Sequence, residues 1–358
     1  MFFIDFLNSL FGVKSKPGGS TPVPVGSGKP QPVPDSPNEP AQITNPKVLL
    51  LIYNPTVEPA TGKKLGEFMN WPRPDDITGQ FISDVLQASG GLARYQISQR
   101  LELDEFPILA DGFQYTAQTY LDVVQSGKPA HNPTGIDYNS ILKKFNILQR
   151  IENNEFDEVW VMGFPYAGLY ESVMGGAGAF WCNAPPLANT ASCPRRFVIM
   201  GFSYEREVGE MLHSYNHRCE AILAQVFNSQ DFLMWTYKPN RSPATIAPSQ
   251  NINLFQRFIT FDQIAPGKAA IGTVHYAPNG VKDYDLGNPN PVRSECYDWM
   301  NFPNFQGDIR TVTSQEWGGD EESYQQWWLK HLPKVAGRKN GIHNNWWQYI
   351  ANPNNVIV

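Results

Sequence analysis

The chain has 358 residues, enough for one large domain or two of ordinary size. Its hydrophobic fraction of 41% is that of a globular protein, while charged residues are scarce at 17% and aromatics, Gly and Pro are plentiful, a mix that suits a loop-rich extracellular protein. A formal net charge of −6 with no basic stripe excludes nucleic acid as the main partner, and no apolar run reaches the roughly 18–20 residues of a membrane span.

Met1–Val13 places Phe2, Phe3, Phe6, Leu7, Leu10 and Phe11 at helical spacing. It reads either as an amphipathic segment able to anchor on a membrane surface or as an export-like signal, although no basic residue precedes its apolar run. Lys14–Pro46 is rich in Pro, Gly, Ser and Thr. Such a stretch cannot bury enough apolar surface to offset chain entropy and is expected to be an extended linker, of the kind that tethers an extracellular domain.

The folded part is expected to begin at Lys47. Val48–Asn54 is a continuous apolar run of strand length, as in a strand buried on both faces. A helix is expected over Ile77–Ser89, stopped by Gly90 and Gly91, then a strand over Arg94–Leu103 and a helix over Tyr115–Gln125. Asp137 is placed to cap a second helix running to Ile151. Asp157–Gly163 reads as another buried strand, followed by a Gly-rich loop to Phe180. Arg196–Phe202 reads as a strand that turns directly into a long helix. Nearly all-apolar strands alternating with helices predict an α/β fold, three-layered, with a mostly parallel sheet.

After Gln230 the helical pattern fades into short strands (Ala269–Tyr276), Asn–Pro turns and Trp-rich windows, an irregular aromatic-rich C-terminal part. Residues 47–358 are expected to form a single α/β unit, with 230–358 as a subdomain or as a wrap around the rest. Of the four cysteines, Cys182 and Cys193 bracket a loop of small residues, so they are either bridged in an oxidising compartment or two unpaired thiols. The pairs Trp327–Trp328 and Trp346–Trp347 either stack on sugar rings or fill core.

Ligands of open α/β sheets bind beyond the carboxyl ends of the strands. That places Glu171, Glu205 and Glu207 on one rim. On the helix that follows, at about 100° per residue, Arg206, Glu210, His213, His217 and Glu220 share one face, and apolar residues take the opposite one. The bland reading of that face is a solvated one. The sharp reading is a metal site, because His213 and His217 at i, i+4 can chelate one ion, with Glu220 and the distant His275 completing the set. Zinc is the expected cofactor. Glu171, Glu207 and Glu210 are then the candidate catalytic carboxylates, acting on a metal-bound water. Unlike an HExxH helix, this one has Ser214, not Glu, after its first His. Gly201–Glu205 has Ser203 at a strand–helix turn, read as a helix N-cap more readily than as a nucleophile, since Glu stands where a nucleophile elbow has Gly. The oxygen-rich loop after His275, with Asn279, Asp283, Asp285 and Asn288, is a loose match to a calcium loop.

The stretches Leu103–Pro107, Phe156–Pro186, Arg195–Leu223, Gly272–Gly280 and the NNWWQYI ending resemble an uncharacterised, mainly secreted family of bacterial proteins, often attached to fibronectin type III or lectin-like modules. The resemblance implies secretion and one shared unit from Lys47 onward, and it transfers no activity and no site residue. This chain departs from the family in carrying no appended module and no clear signal peptide. The expectation that follows is an extracellular hydrolase-like enzyme acting on cell-surface glycan or peptide, with metal dependence. The alternative is a non-catalytic glycan-binding or adhesion module.

Overall fold

Five segments pair into the sheet around which the protein is built. A computed structural model describes residues 35–238 and 251–357. The strands are β1 (Lys47–Tyr53), β2 (Gln96–Leu103), β3 (Glu158–Gly163), β4 (Ser172–Gly175) and β5 (Phe197–Ser203), in the spatial order β2-β1-β3-β5-β4. Only β4 runs antiparallel to its neighbour. The fold is therefore α/β with a mostly parallel sheet. Every residue of β3 and all but the first of β1 are buried, which is why their sequences read as unbroken apolar runs rather than alternating ones. β4 was not expected, because its Ser-Val-Met-Gly is too short and too glycine-flanked to stand out from the surrounding loop.

The helices that matter for the site are α1 (Pro74–Ala88), α2 (Ala117–Val124), α3 (Tyr138–Lys144), α4 (Ile147–Glu152), α5 (Glu207–Val226), α6 (Gln230–Thr236) and α7 (Glu321–His331). Asp137 caps α3 through the Asn139 N–H, as its position suggests. The single helix expected over 137–151 is broken in two, because Asn146 adopts a left-handed conformation (φ 49°). α1 and α5 lie against the sheet face that carries Glu158 and Trp160: Phe81 meets the Trp160 ring at 5.1 Å, Tyr215 meets Phe81 at 5.5 Å, and the Tyr95 and Tyr215 hydroxyls are 3.0 Å apart.

Several expectations need correcting. The helix begins after Ser203 only at Glu207, past a 3-10 turn at Tyr204–Arg206, and Ser203 makes no capping hydrogen bond. Ala269–Tyr276 forms no strand. Residues 35–46 pack on the fold rather than trailing as linker: Thr44 N–H donates to Leu92 O (2.8 Å), Asn345 Nδ2 donates to Gln42 O (3.0 Å), and Glu39 pairs with Arg338. The expected amphipathic segment Met1–Val13 lies outside the described residues. Cys182 and Cys193 are unpaired and buried, as are Cys219 and Cys296. No disulfide closes the loop, because Cys182 turns its sulfur toward Ser172 (3.6 Å) and Cys193 toward the Arg195 carbonyl (3.3 Å). Among the described residues no helix is long and apolar enough to cross a membrane.

The tryptophan pairs are core. Trp327, Trp328, Trp346 and Trp347 are at most 7% exposed, so their ring faces are not open to a sugar. Asp35–Val358 clusters as one compact unit.

One acid-sensitive element follows from this packing. His331, in the last turn of α7, is buried against Trp327 and donates from Nδ1 to the Trp327 carbonyl (2.8 Å). Burial lowers its pKa from 6.5 to about 4. A group with a depressed folded-state pKa contributes stability that is complete above its unfolded pKa and lost as pH falls through the folded value. The contribution of His331 should therefore disappear between pH 6.5 and 4, a loss of about 3 kcal/mol at roughly 1.4 kcal/mol per unit. Urea unfolding across that range should show the acid loss reduced in His331→Met. An unchanged acid limb would count against the burial argument.

Candidate metal centre

The site is assembled where α5 leaves the sheet. β1, β3 and β5 end at Tyr53, Gly163 and Ser203 on one edge. Glu171 immediately precedes the antiparallel β4 and reaches the same edge, with its carbonyl accepting from Gly201 N–H (3.0 Å). A Cβ at Gly201 would stand 2.3 Å from the Tyr170 carbonyl, so only glycine lets this segment lie on β5.

The polar face of α5 is buried. His213 is 2% exposed, His217 4% and Glu220 1%, so the solvated reading of that face does not hold. It is covered by α7, Tyr237 and the segment Val274–Tyr284. That segment is positioned by a tight turn in which Thr273 N–H donates to Tyr276 O (3.0 Å) and Gly272 takes φ +87°. α7 clamps the turn: Tyr324 Oη donates to Thr273 O (2.6 Å), Gln325 Nε2 to Val274 O (3.1 Å) and Trp328 Nε1 to Gly272 O (3.0 Å). α5 holds it from the other side, as Val274 N–H donates to Glu220 Oε1 (3.0 Å). The result is that His275, also buried, meets the two histidines of α5.

One ring nitrogen from each of His213, His217 and His275 lies within 4.8 Å of the others. Nε2 of His217 and Nε2 of His275 face each other at 2.9 Å. Behind each ring stands a carboxylate: Glu220 Oε2 is 3.1 Å from His217 Nδ1, Asp283 Oδ1 is 2.9 Å from His275 Nδ1, and Glu321 Oε1 is 3.0 Å from His213 Nδ1. A carboxylate that accepts a hydrogen bond from the ring N–H at Nδ1 leaves the Nε2 lone pair directed inward, which is the tautomer a metal ligand needs. Two such lone pairs at 2.9 Å repel unless a cation or a proton lies between them.

The electrostatics differ from ring to ring. Burial drives the His217 pKa well below its ordinary value, so the ring is neutral. Burial also opposes charge on His213, but Glu321, Glu171 and Glu210 outweigh it and raise its pKa. Glu210 is pushed up to about 7, chiefly by burial, with His213 pulling it down and Glu171 pushing it up; Arg206 pairs with it at 2.9 Å. Glu220 is likewise raised to about 7 by burial, against the hydrogen bonds from Tyr237 Oη (2.7 Å) and Val274 N–H that favour its charged form.

The structure thus brings together His213, His217 and His275, and puts Glu171 beside them, its Oε1 3.9 Å from His213 Nε2. Glu220, expected as a ligand, instead stands behind His217 and orients it. Glu210 lies one turn up the helix, within electrostatic reach. Glu207 is exposed, and no hydrogen bond or ion pair among the described residues joins it to the imidazoles. Its backbone (φ 62°, ψ −169°) occupies a region nearly reserved for glycine, where a side chain costs about 1–3 kcal/mol. In the loop read loosely as a calcium site, the two aspartates are engaged elsewhere. Asp283 faces His275, and Asp285 accepts from Val281 N–H (3.2 Å) and Asn288 Nδ2 (2.9 Å).

Sequence reasoning missed Glu321, Tyr284 and Gln325. A signal existed for α7: Glu321, Tyr324, Gln325 and Trp328 recur at i, i+3, i+4, i+7, a stripe of polar groups on a helix whose neighbours include Trp. No family model, curated protein or solved structure matches the chain.

Proposed function

We propose that the protein is a metal-dependent, hydrolase-like enzyme in which His213, His217 and His275 hold one divalent cation, with zinc the best chemical fit. The observation that carries this reading is the buried group of three imidazoles, each backed at Nδ1 by a carboxylate. Three imidazoles are a donor set suited to zinc, and such sites keep a position for water or substrate. When bound, the ion supplies Lewis-acid polarisation and a more acidic water. Glu171, whose second oxygen accepts from Asn183 Nδ2, is the residue placed to take a proton at the imidazole cluster. Glu210, poised near neutrality, is its partner for returning one.

We read the substrate as a cell-surface glycan or peptide and the location as extracellular, on the strength of the Pro-rich Lys14–Pro46 stretch and the low-charge, aromatic composition. The same reading takes the domain as three-layered, α2, α3 and α4 closing the second face of the sheet, with the irregular aromatic C-terminal part laid over α5. Burial of β1 and β3 on both faces supports it.

The test is a panel of peptides and oligosaccharides offered to zinc-loaded protein. Cleavage should be abolished by a chelator, restored by zinc, and lowered about 10²–10⁴-fold in Glu171→Gln. Fully loaded protein that cleaves nothing on the panel would remove the hydrolase reading while leaving the metal centre standing.

A further inference from the structure

Beyond the three imidazoles, one more donor atom reaches the same point. The Tyr284 hydroxyl lies 3.1 Å from His275 Nε2 and 3.4 Å from His213 Nε2. Its ring stacks on His213 at 5.7 Å with 14° between planes. A tetrahedral zinc bound at about 2.0–2.1 Å sets its donor atoms about 3.3 Å apart. The separations of 3.1 and 3.4 Å to the phenol oxygen, and of 2.9 Å between His217 and His275, are close to the edges of such a tetrahedron. Glu171, the other oxygen donor nearby, stands farther off at 3.9 Å from His213 Nε2, and Asn183 engages it.

The backbone points the same way. Tyr284 sits at the tip of the loop 279–288, whose base is laced by Asn279 Nδ2 donating to Asn288 O (2.8 Å) and Asn288 Nδ2 donating to Asn279 O (3.0 Å). At that tip Tyr284 adopts φ 55°, a left-handed conformation that is rare for an aromatic residue. The residue is 45% exposed overall, and its ring lies against His213 and His275, with centroids 5.7 and 4.3 Å away. The neighbouring Asp283 orients His275, so one loop tip delivers both groups.

We propose that Tyr284 is the fourth protein ligand of the ion held by His213, His217 and His275, an inference that rests on the metal-centre reading above. On ligation the phenol O–H bond breaks, an oxygen lone pair forms the bond to the ion, and the proton leaves to solvent; no electron is transferred. With four protein ligands the centre is closed, and with three it has an open position.

The experiment loads metal-free wild-type protein and Tyr284→Phe with one equivalent of copper(II) and compares visible spectra and bound copper. Both proteins should hold one ion. Wild type should show a phenolate-to-copper charge-transfer band that is lost in Tyr284→Phe, a change that keeps the ring and removes only the oxygen. Copper bound by wild type without that band, or a band that survives in Tyr284→Phe, overturns the ligand assignment and leaves the three-histidine centre intact. Failure of both proteins to take up copper, with native circular dichroism, overturns the metal centre and the assignment together.

Discussion

Glu158→Ala should lower the unfolding free energy by about 3–5 kcal/mol, the largest stability loss expected of any single change outside the apolar core. Glu158 and Arg218 are buried, 2% and 0% exposed, in the layer between sheet and α5. The guanidinium meets the carboxylate with two parallel bonds, Nη1 to Oε1 at 2.8 Å and Nη2 to Oε2 at 2.7 Å. Trp160 Nε1 also donates to Glu158 Oε1 (2.6 Å), and Arg218 Nη2 donates to the Ile350 carbonyl (2.8 Å). The pair as a whole need not stabilise relative to an apolar pair, because both charges were taken out of water. Removing one partner is different, since it strands a buried guanidinium and an indole donor. The pair also ties β3, α5 and the C-terminal Ile350 to one point, so the loss should appear as a single cooperative transition at lower urea. A loss below about 1 kcal/mol would mean that water reaches Arg218 in the variant.

The largest functional effect is expected at His217. Its Nε2 faces His275 and its Nδ1 faces Glu220, so alanine here removes one of the three imidazoles of the cluster. Zinc affinity should fall by well over 100-fold. Glu220→Gln and Asp283→Asn, which loosen rings without removing them, should cost about 10–100-fold each. Isothermal titration with zinc orders the three. An equal, small effect at all three positions would mean that the imidazoles do not act as ligands. Glu207→Gln should leave affinity unchanged, as that residue is exposed and, among the described residues, no hydrogen bond or ion pair joins it to the imidazoles.

The contrast between what could and could not be read from the chain follows from how far apart the contacts are in sequence. The sheet was legible because burial on both faces writes itself locally, as unbroken apolar runs in Val48–Tyr53, Val159–Met162 and Phe197–Met200. The projection of α5 also put His213, His217 and Glu220 on one face. Whether that face was wet could not be read from α5, because a buried polar face and a solvated one have the same periodicity. The covering groups come from Val274–Tyr284 and from α7, as the Glu220–Val274 and Asn216–Gln325 hydrogen bonds show with separations of 54 and 109. For the same reason the helical projection makes Glu220 a ligand candidate. Only the position of Val274 N–H shows that its carboxylate is occupied behind the ring. The unpaired cysteines teach a similar lesson, since a short loop between Cys182 and Cys193 permits a bridge without bringing the two sulfurs to face each other.

The central claim is that three buried imidazoles hold one divalent cation. Its most direct test is the metal content of the full chain, purified without chelator and without affinity metals, then dialysed against zinc and washed, and measured by mass spectrometry of the elements. Wild type should hold one zinc per chain, and the double variant His213→Ala, His217→Ala none. Native wild-type protein that retains no metal, or a double variant that retains as much as wild type, would contradict it.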